Sequence, residues 1–236
     1  MAAPGAGVTV VVPVRGLPAG KSRLAAVLQP AQRNQLVRAM LGDVVRVLRS
    51  APAVARVIVL SRDAAAAQEA ERLEVDFLQE PLGAPGLNRA LAFAQTQLAE
   101  SDALLLVPAD LPLITRTDVE QLVAASPAPP GVVVAPSRDG GTNGLLLRPP
   151  AVITPAFGAE SAARHIAAAE EAGAAIVRVE DVRWALDIDS PEDLALAASL
   201  DVGQEKEAVW YLRSPELTAA IRSGAGGSKL PPPRLR

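Results

Sequence analysis

Two kinds of apolar pattern alternate along this chain. Short continuous runs read as strands buried on both faces: "VTVVV" at 8–12, "ARVIVLS" at 55–61, "ALLLV" at 103–107, "VVVAPS" at 132–137, "GLLLR" at 144–148 and "AAIVRVE" at 174–180. A shorter strand is expected at 75–80, and "WALDID" at 184–189 is expected to be one more. Between the runs lie helical patterns. Pro30 suits the first position of a helix reaching about Ser50, with Leu36, Met40, Val44, Val47 and Leu48 on one stripe. Further helices are expected at 63–73, at 87–100, from Thr115 or Thr117, at 160–173 with Gly173 closing it, and at 190–200. In "SPED", Ser190 is a candidate N-cap, Pro191 a first helical residue and Asp193 the partner of a capping box.

Strand–helix alternation throughout predicts an α/β fold, a Rossmann-like three-layer sandwich around a mostly parallel mixed sheet. Ligands of such folds collect at the carboxyl ends of the strands. Residues 1–202 are read as a single domain, 203–222 as a helical extension carrying Trp210, Tyr211 and Leu212, and 223–236 as a flexible tail rich in Gly, Ser and Pro.

Composition narrows the picture. Half of the 236 residues are apolar but only 3% are aromatic, so the core must be made of Ala, Val, Leu and Ile. The chain has no cysteine, which excludes disulfides, thiolate metal sites and thiol nucleophiles. A net charge of −3 with both signs mixed argues against a nucleic-acid partner. No apolar stretch approaches the roughly 20 residues that span a bilayer, and the N-terminus lacks a basic start, so a cytoplasmic protein with no membrane partner is expected.

The first chemistry lies behind the first strand, in "PVRGLPAGKSRL" at 13–24. Gly20-Lys21-Ser22 resembles the end of a P-loop, but the first glycine of that motif would fall at position 15, where Arg15 stands; Gly16 leaves the loop one residue short. Pro30 would also stop the helix that a P-loop feeds. "LLLVPAD", ending in Asp110, imitates the acidic strand of such ATPases, yet Pro108 and Pro112 make it a stiff turn. What remains is a loop holding three cations, Arg15, Lys21 and Arg23, either simply solvated or built to hold phosphate.

Its acidic counterpart is "ALDIDSPEDL". In an extended segment Asp187 and Asp189 share a face, and two such carboxylates repel unless a cation lies between them. Asp189 could instead be a helix cap. Asp110, ending another strand, is the natural third ligand of a divalent metal, which would face the cations of the first loop across a cleft. The lone histidine, His165, lies inside a helical pattern and reads as structural or as a rim contact.

Five motifs in this order, "PVRGLPAGKSRLA", "PADLPLI", "RDGGTNGLLL", "FGAESAARH" and "ALDIDSPEDL", resemble those of the 2-phospholactate/phosphoenolpyruvate guanylyltransferases of coenzyme F-420 biosynthesis. The resemblance covers roughly 8–200. It implies a fold like that of the molybdenum-cofactor nucleotidyltransferases and GT-A enzymes, which use nucleotide-diphospho-sugars. It also implies transfer of GMP from GTP to the phosphate of phosphoenolpyruvate or 2-phospho-L-lactate, with release of pyrophosphate. By the same resemblance, Lys21 and Arg23 meet the nucleotide phosphates beside Gly16, and Asn88 lies near the nucleoside. Arg15, Thr142, Gly158 and Ser161 correspond to acceptor-binding positions, and Asp110, Asp187 and Asp189 to the carboxylates that hold Mg2+. Arg15 replaces the family's usual Lys, and Ser137 replaces an Asp in an acceptor loop one residue shorter.

The proposed nucleophile is an anionic phosphate oxygen, so no general base is demanded, which suits a chain with one histidine. Two other classes are carried along: a nucleotide-sugar-dependent glycosyltransferase with Asp187-Ile188-Asp189 as its metal motif, and a non-catalytic nucleotide-binding module. Against the glycosyltransferase, the motif arrives late and the middle of the chain has no aromatic platform for a sugar.

Overall fold

The computed structural model describes residues 7–15, 17, 21–81, 86–200, 206 and 208. The apolar runs form seven strands: β1 (Val8–Pro13), β2 (Val54–Ser61), β3 (Asp76–Gln79), β4 (Ala103–Leu106), β5 (Gly131–Pro136), β6 (Thr142–Arg148) and β7 (Ala175–Arg178). They make one sheet in the order β3-β2-β1-β4-β6-β5-β7. Every pairing is parallel except those of β6, which runs antiparallel to β4 and β5.

The helices are α1 (Pro30–Ser50), α2 (Ala64–Arg72), α3 (Leu87–Gln97), α4 (Arg116–Ala124), α5 (Ser161–Glu171), α6 (Val182–Ala185) and α7 (Pro191–Ser199). Strand alternation divides the core between two faces. Val10, Val12 and Leu105 pack with α1, α4 and Trp184, whereas Val11, Leu104 and Leu106 pack with α3 and α5. The continuous apolar runs are therefore strands covered on both sides, as the expected three layers require.

Local signals explain the helix bounds. Pro30 opens α1, and the Gln32 side chain accepts from the Gln29 amide at 2.8 Å. Leu36, Met40, Val44 and Leu48 are buried along its stripe, while Val47 is half-buried. Thr115, not Thr117, caps α4 in a box with Asp118, and the Arg183 guanidinium grips the same carboxylate at 2.6 and 2.7 Å. Ser190 and Asp193 form the expected box at α7. Gly173 follows α5 at φ +64°, a conformation that favours glycine.

One expected strand is absent. Residues 184–189 do not join the sheet. Asp181 caps the single helical turn α6, which drives Trp184 into the core. Trp184 fits because β6 carries Gly144 there; a Cβ at Gly144 would lie 3.2 Å from the indole. Four residues then remain before Ser190 caps α7. They stay extended, with the Ile188 amide donating to the Asp110 carbonyl at 3.0 Å.

The expected extension and tail, 203–236, lie outside the described residues apart from Lys206 and Ala208. Among the described residues, no helix is long and apolar enough to cross a membrane.

Candidate active site

A cavity of about 450 Å³ opens at the carboxyl ends of β1 and β4. Its wall includes Arg15, Lys21, Arg23, Asp110, Phe157 and Asp189. Asp110 sits on the turn after β4, which Leu111, Leu113 and Ile114 anchor in the core. Leu186 and Ile188 are buried too, so the alternating Asp187 and Asp189 face the other way, half-buried. With Ile188 bonded to the Asp110 backbone, carboxylate oxygens of Asp110, Asp187 and Asp189 lie within 4.8 Å of one another.

The electrostatics of this trio are those of a cation site. Burial pushes the Asp187 carboxyl above its ordinary range, and the neighbouring charges of Asp110 and Asp189 push it further. The buried Oδ1 of Asp110 has no hydrogen-bond partner. Three hard oxygen donors, one of them unsatisfied, fit a hard divalent cation such as Mg2+. Asn143, which sequence reasoning passed over, orients one of the trio: its amide nitrogen donates to Asp187 Oδ1 at 3.2 Å and to the Trp184 carbonyl at 2.9 Å. The one available signal was its place in "GGTN", beside a residue already singled out.

The cations of the first loop are not set across a cleft from the acids, as expected. Lys21, in the left-handed region at φ 59°, inserts its ammonium between two of them, bonding Asp110 Oδ2 at 2.5 Å and also Asp189. Its side chain is 11% exposed. Burial acts to lower its pKa, but the two carboxylates outweigh that and hold it above the ordinary lysine value. A left-handed turn followed by a 3-10 helix at Ser22–Ala26, rather than a long α-helix, is what brings the side chain round to the acids. Arg23 stays out in solvent, 76% exposed, with its guanidinium 3.8 Å from Asp189. Arg15 lies 3.9 Å from the buried Glu80 carboxylate, which also accepts from Arg62 at 2.9 Å. Gly16 falls outside the described residues.

Of the expected acceptor residues, Thr142 and Ser161 meet, but their hydroxyls face inward, and Arg15 lies apart from them beside Glu80. Ser161 Oγ donates to Thr142 Oγ1 at 2.9 Å, and Thr142 Oγ1 lies 3.0 Å from His165 Nδ1. The Ala156 amide donates to His165 Nε2 at 2.8 Å, which assigns the ring proton to Nδ1. Burial, then the charge of Arg164, lowers the imidazole pKa to about 4, so the ring is neutral and structural. Gly158, at φ +126°, turns the chain into α5. Asn88 is not free beside the cavity: it bonds both backbone groups of Phe157, at 2.7 and 3.0 Å, and so fixes the loop that bears Phe157. In the loop between β5 and β6 the Ser137 hydroxyl donates to Asp139, and Arg138 reaches across to Asp193.

Residues 8–229 match the family described as guanylyl transferase CofC like, well past the position near 200 where the resemblance was expected to end. A phosphoenolpyruvate guanylyltransferase of Sphaerobacter thermophilus is 42% identical over 201 residues, covering 84% of this chain and 96% of its own. A 2-phospho-L-lactate guanylyltransferase of Methanothermobacter thermautotrophicus is 36% identical over 222 residues, covering 93% and 95%. Among solved structures, one described as a nucleotide-diphospho-sugar transferase of Desulfovibrio desulfuricans G20 superposes with a TM-score of 0.74 over 92% of this chain and 97% of that one. At 17% identity that likeness speaks for the fold alone. Matches of this identity and length settle membership: the chain belongs to the CofC-like guanylyl transferases, a family of nucleotidyltransferases.

Proposed function

We propose that this enzyme transfers GMP from GTP to the phosphate of phosphoenolpyruvate or 2-phospho-L-lactate, with Mg2+ and in the biosynthesis of coenzyme F-420. The observation that carries this reading is the trio Asp110, Asp187 and Asp189, whose oxygens converge within 4.8 Å beside a cavity edged by three cations. The names of the relatives supply the substrates.

In the reaction, an acceptor phosphate oxygen forms a bond to the α-phosphorus of GTP. The bond from that phosphorus to the oxygen bridging to the β-phosphate breaks, and its electron pair leaves with pyrophosphate. The attacking oxygen is already an anion, so no side chain has to remove a proton. This agrees with His165 being buried, neutral and engaged through both ring nitrogens. The barrier lies in bringing two anions together. Asp110, Asp187 and Asp189 would hold a divalent cation, whose positive charge would offset the repulsion between the triphosphate and the acceptor.

The chain's own residues do the rest. Exposed Arg23, at the cavity edge, is free to follow the β- and γ-phosphates, and Lys21 brings a second positive charge to the same end. Glu80 steadies Arg15 at the other edge, where a planar guanidinium can grip the acceptor's carboxylate or phosphate in two places. The amides of Ser161 and Ala162 are engaged with the carbonyls of Gly158 and Gly140, so the acceptor phosphate is assigned to the Gly158 side of the loop that opens α5. Thr142, Ser161 and His165 hold that loop from below.

The test is to incubate the protein with GTP, Mg2+ and each acceptor in turn and to follow pyrophosphate. Acceptor-dependent release supports the reading, and the ratio of the two initial rates names the acceptor. Release of inorganic phosphate alone would mark a hydrolase; tight GTP binding without turnover would mark a binding module.

A further inference from the structure

Lys206 lies outside the catalytic segments in sequence, yet it touches the back of one of them. Its ammonium donates to the carbonyl of Pro112 at 2.6 Å and to that of Ile114. These carbonyls belong to the turn that begins at Asp110, and residues 111–114 are all buried. Two buried carbonyls on one tight turn need donors, and a single ammonium with three N–H bonds can serve both. Two residues on, Ala208 is fully buried in the core, and its amide donates to Asp43 Oδ2 on α1 at 2.7 Å. Lys206 is thus held in place from a helix on the same face of the sheet.

Resting on the reading of the aspartate trio given above, we propose that Lys206 is a positioning residue for the metal site, clamping the Pro112–Ile114 carbonyls so that the Asp110 carboxylate is presented to the cation. A second hold on the same turn is the Ile188 amide, which donates to the Asp110 carbonyl at 3.0 Å and lies between the other two aspartates. Burial pushes the Lys206 ammonium down to about 8, with Asp43 and Asp118 opposing that and Arg183 and Arg46 adding to it, so the group remains mostly charged at neutral pH. In that form it carries three N–H donors, two of which serve the Pro112 and Ile114 carbonyls. The matched family segment extends to residue 229 and therefore includes this lysine, although the resemblance legible in the sequence stops near 200.

The test is Mn2+ binding to the full-length protein without nucleotide, read from loss of the free-ion electron paramagnetic resonance signal, in parallel with thermal unfolding. Lys206→Met keeps the apolar stem and removes every donor; its Mn2+ affinity should fall about tenfold or more, in the range that outer-sphere partners of metal ligands command. Lys206→Gln keeps two N–H donors on a stem one bond shorter, and a loss of about threefold is expected. It also serves as the probe should the Met variant not fold. Wild-type Mn2+ affinity in either folded variant, even with a lowered unfolding midpoint, would reduce Lys206 to a structural anchor and overturn the proposal. Asp110→Asn separates this from the parent reading: it must itself lose Mn2+ binding, and if it binds as wild type does, the metal reading of the trio fails along with the clamp.

Discussion

Burial and the charges of two neighbouring carboxylates disfavour the ionised form of Asp187. Asp187→Asn removes that charge while keeping the shape, so turnover should vanish with the unfolding midpoint unchanged or raised; a wild-type rate would remove Asp187 from the metal site. Asn143→Ala frees the Asp187 carboxylate without touching the reactants, and a loss on the order of tenfold in apparent Mg2+ affinity is expected from Mg2+ titrations of the rate. His165 makes a prediction of the opposite kind, about stability. Its pKa is about 4 folded against an ordinary histidine value of 6.5, so between those pH values the unfolded chain binds the extra proton. Stability conferred by the neutral ring is complete above pH 6.5 and is lost as pH falls toward 4, by on the order of 3 kcal/mol. Denaturant titrations of wild type and His165→Gln across that window measure it, and equal slopes would contradict it. At this scale the shared face of Asp187 and Asp189 was readable because any extended backbone alternates. The insertion of Lys21 among the acids was not, because a left-handed turn in a glycine-rich loop sends its side chain where no periodicity points.

At the scale of elements, helix ends were the most legible features. Pro30, Thr115 and Ser190 are residues whose own chemistry starts a helix, and all three do so. Ser190→Ala should cost about 1 kcal/mol in unfolding free energy with little change in rate. A large rate loss at unchanged stability would show that Ser190 serves the chemistry instead. The misread element is 184–189, whose alternation suits a strand but whose flanks belong to helices. Asp181 and Ser190 cap α6 and α7 on either side, and the burial of Trp184 against Gly144 fixes the chain there. Alternation without a free neighbouring strand gives a two-faced extended segment, and that is enough to aim two carboxylates together.

At the scale of the whole molecule, the α/β class followed from alternation of the two patterns, whereas strand order did not. Nothing in "TNGLLLR" announces that β6 runs antiparallel between β4 and β5, since a central strand is apolar on both faces whichever way it points. That reversal matters for function. It places the start of β6, with Thr142 and Asn143, at the same end of the sheet as the carboxyl ends of β1 and β4. The cationic loop, the Asp110 turn, Phe157 and Asp189 line one cavity at that end, and Asn143 ties β6 to the aspartates through Asp187. The central claim is that this convergence exists to hold a metal ion and a triphosphate together. A crystal structure of the protein with GTP and Mg2+ tests it most directly. The account predicts metal density bonded to oxygens of Asp110, Asp187 and Asp189, with the triphosphate in the cavity beside Lys21 and Arg23; a triphosphate bound elsewhere, or a metal that leaves those three carboxylates untouched, would contradict it.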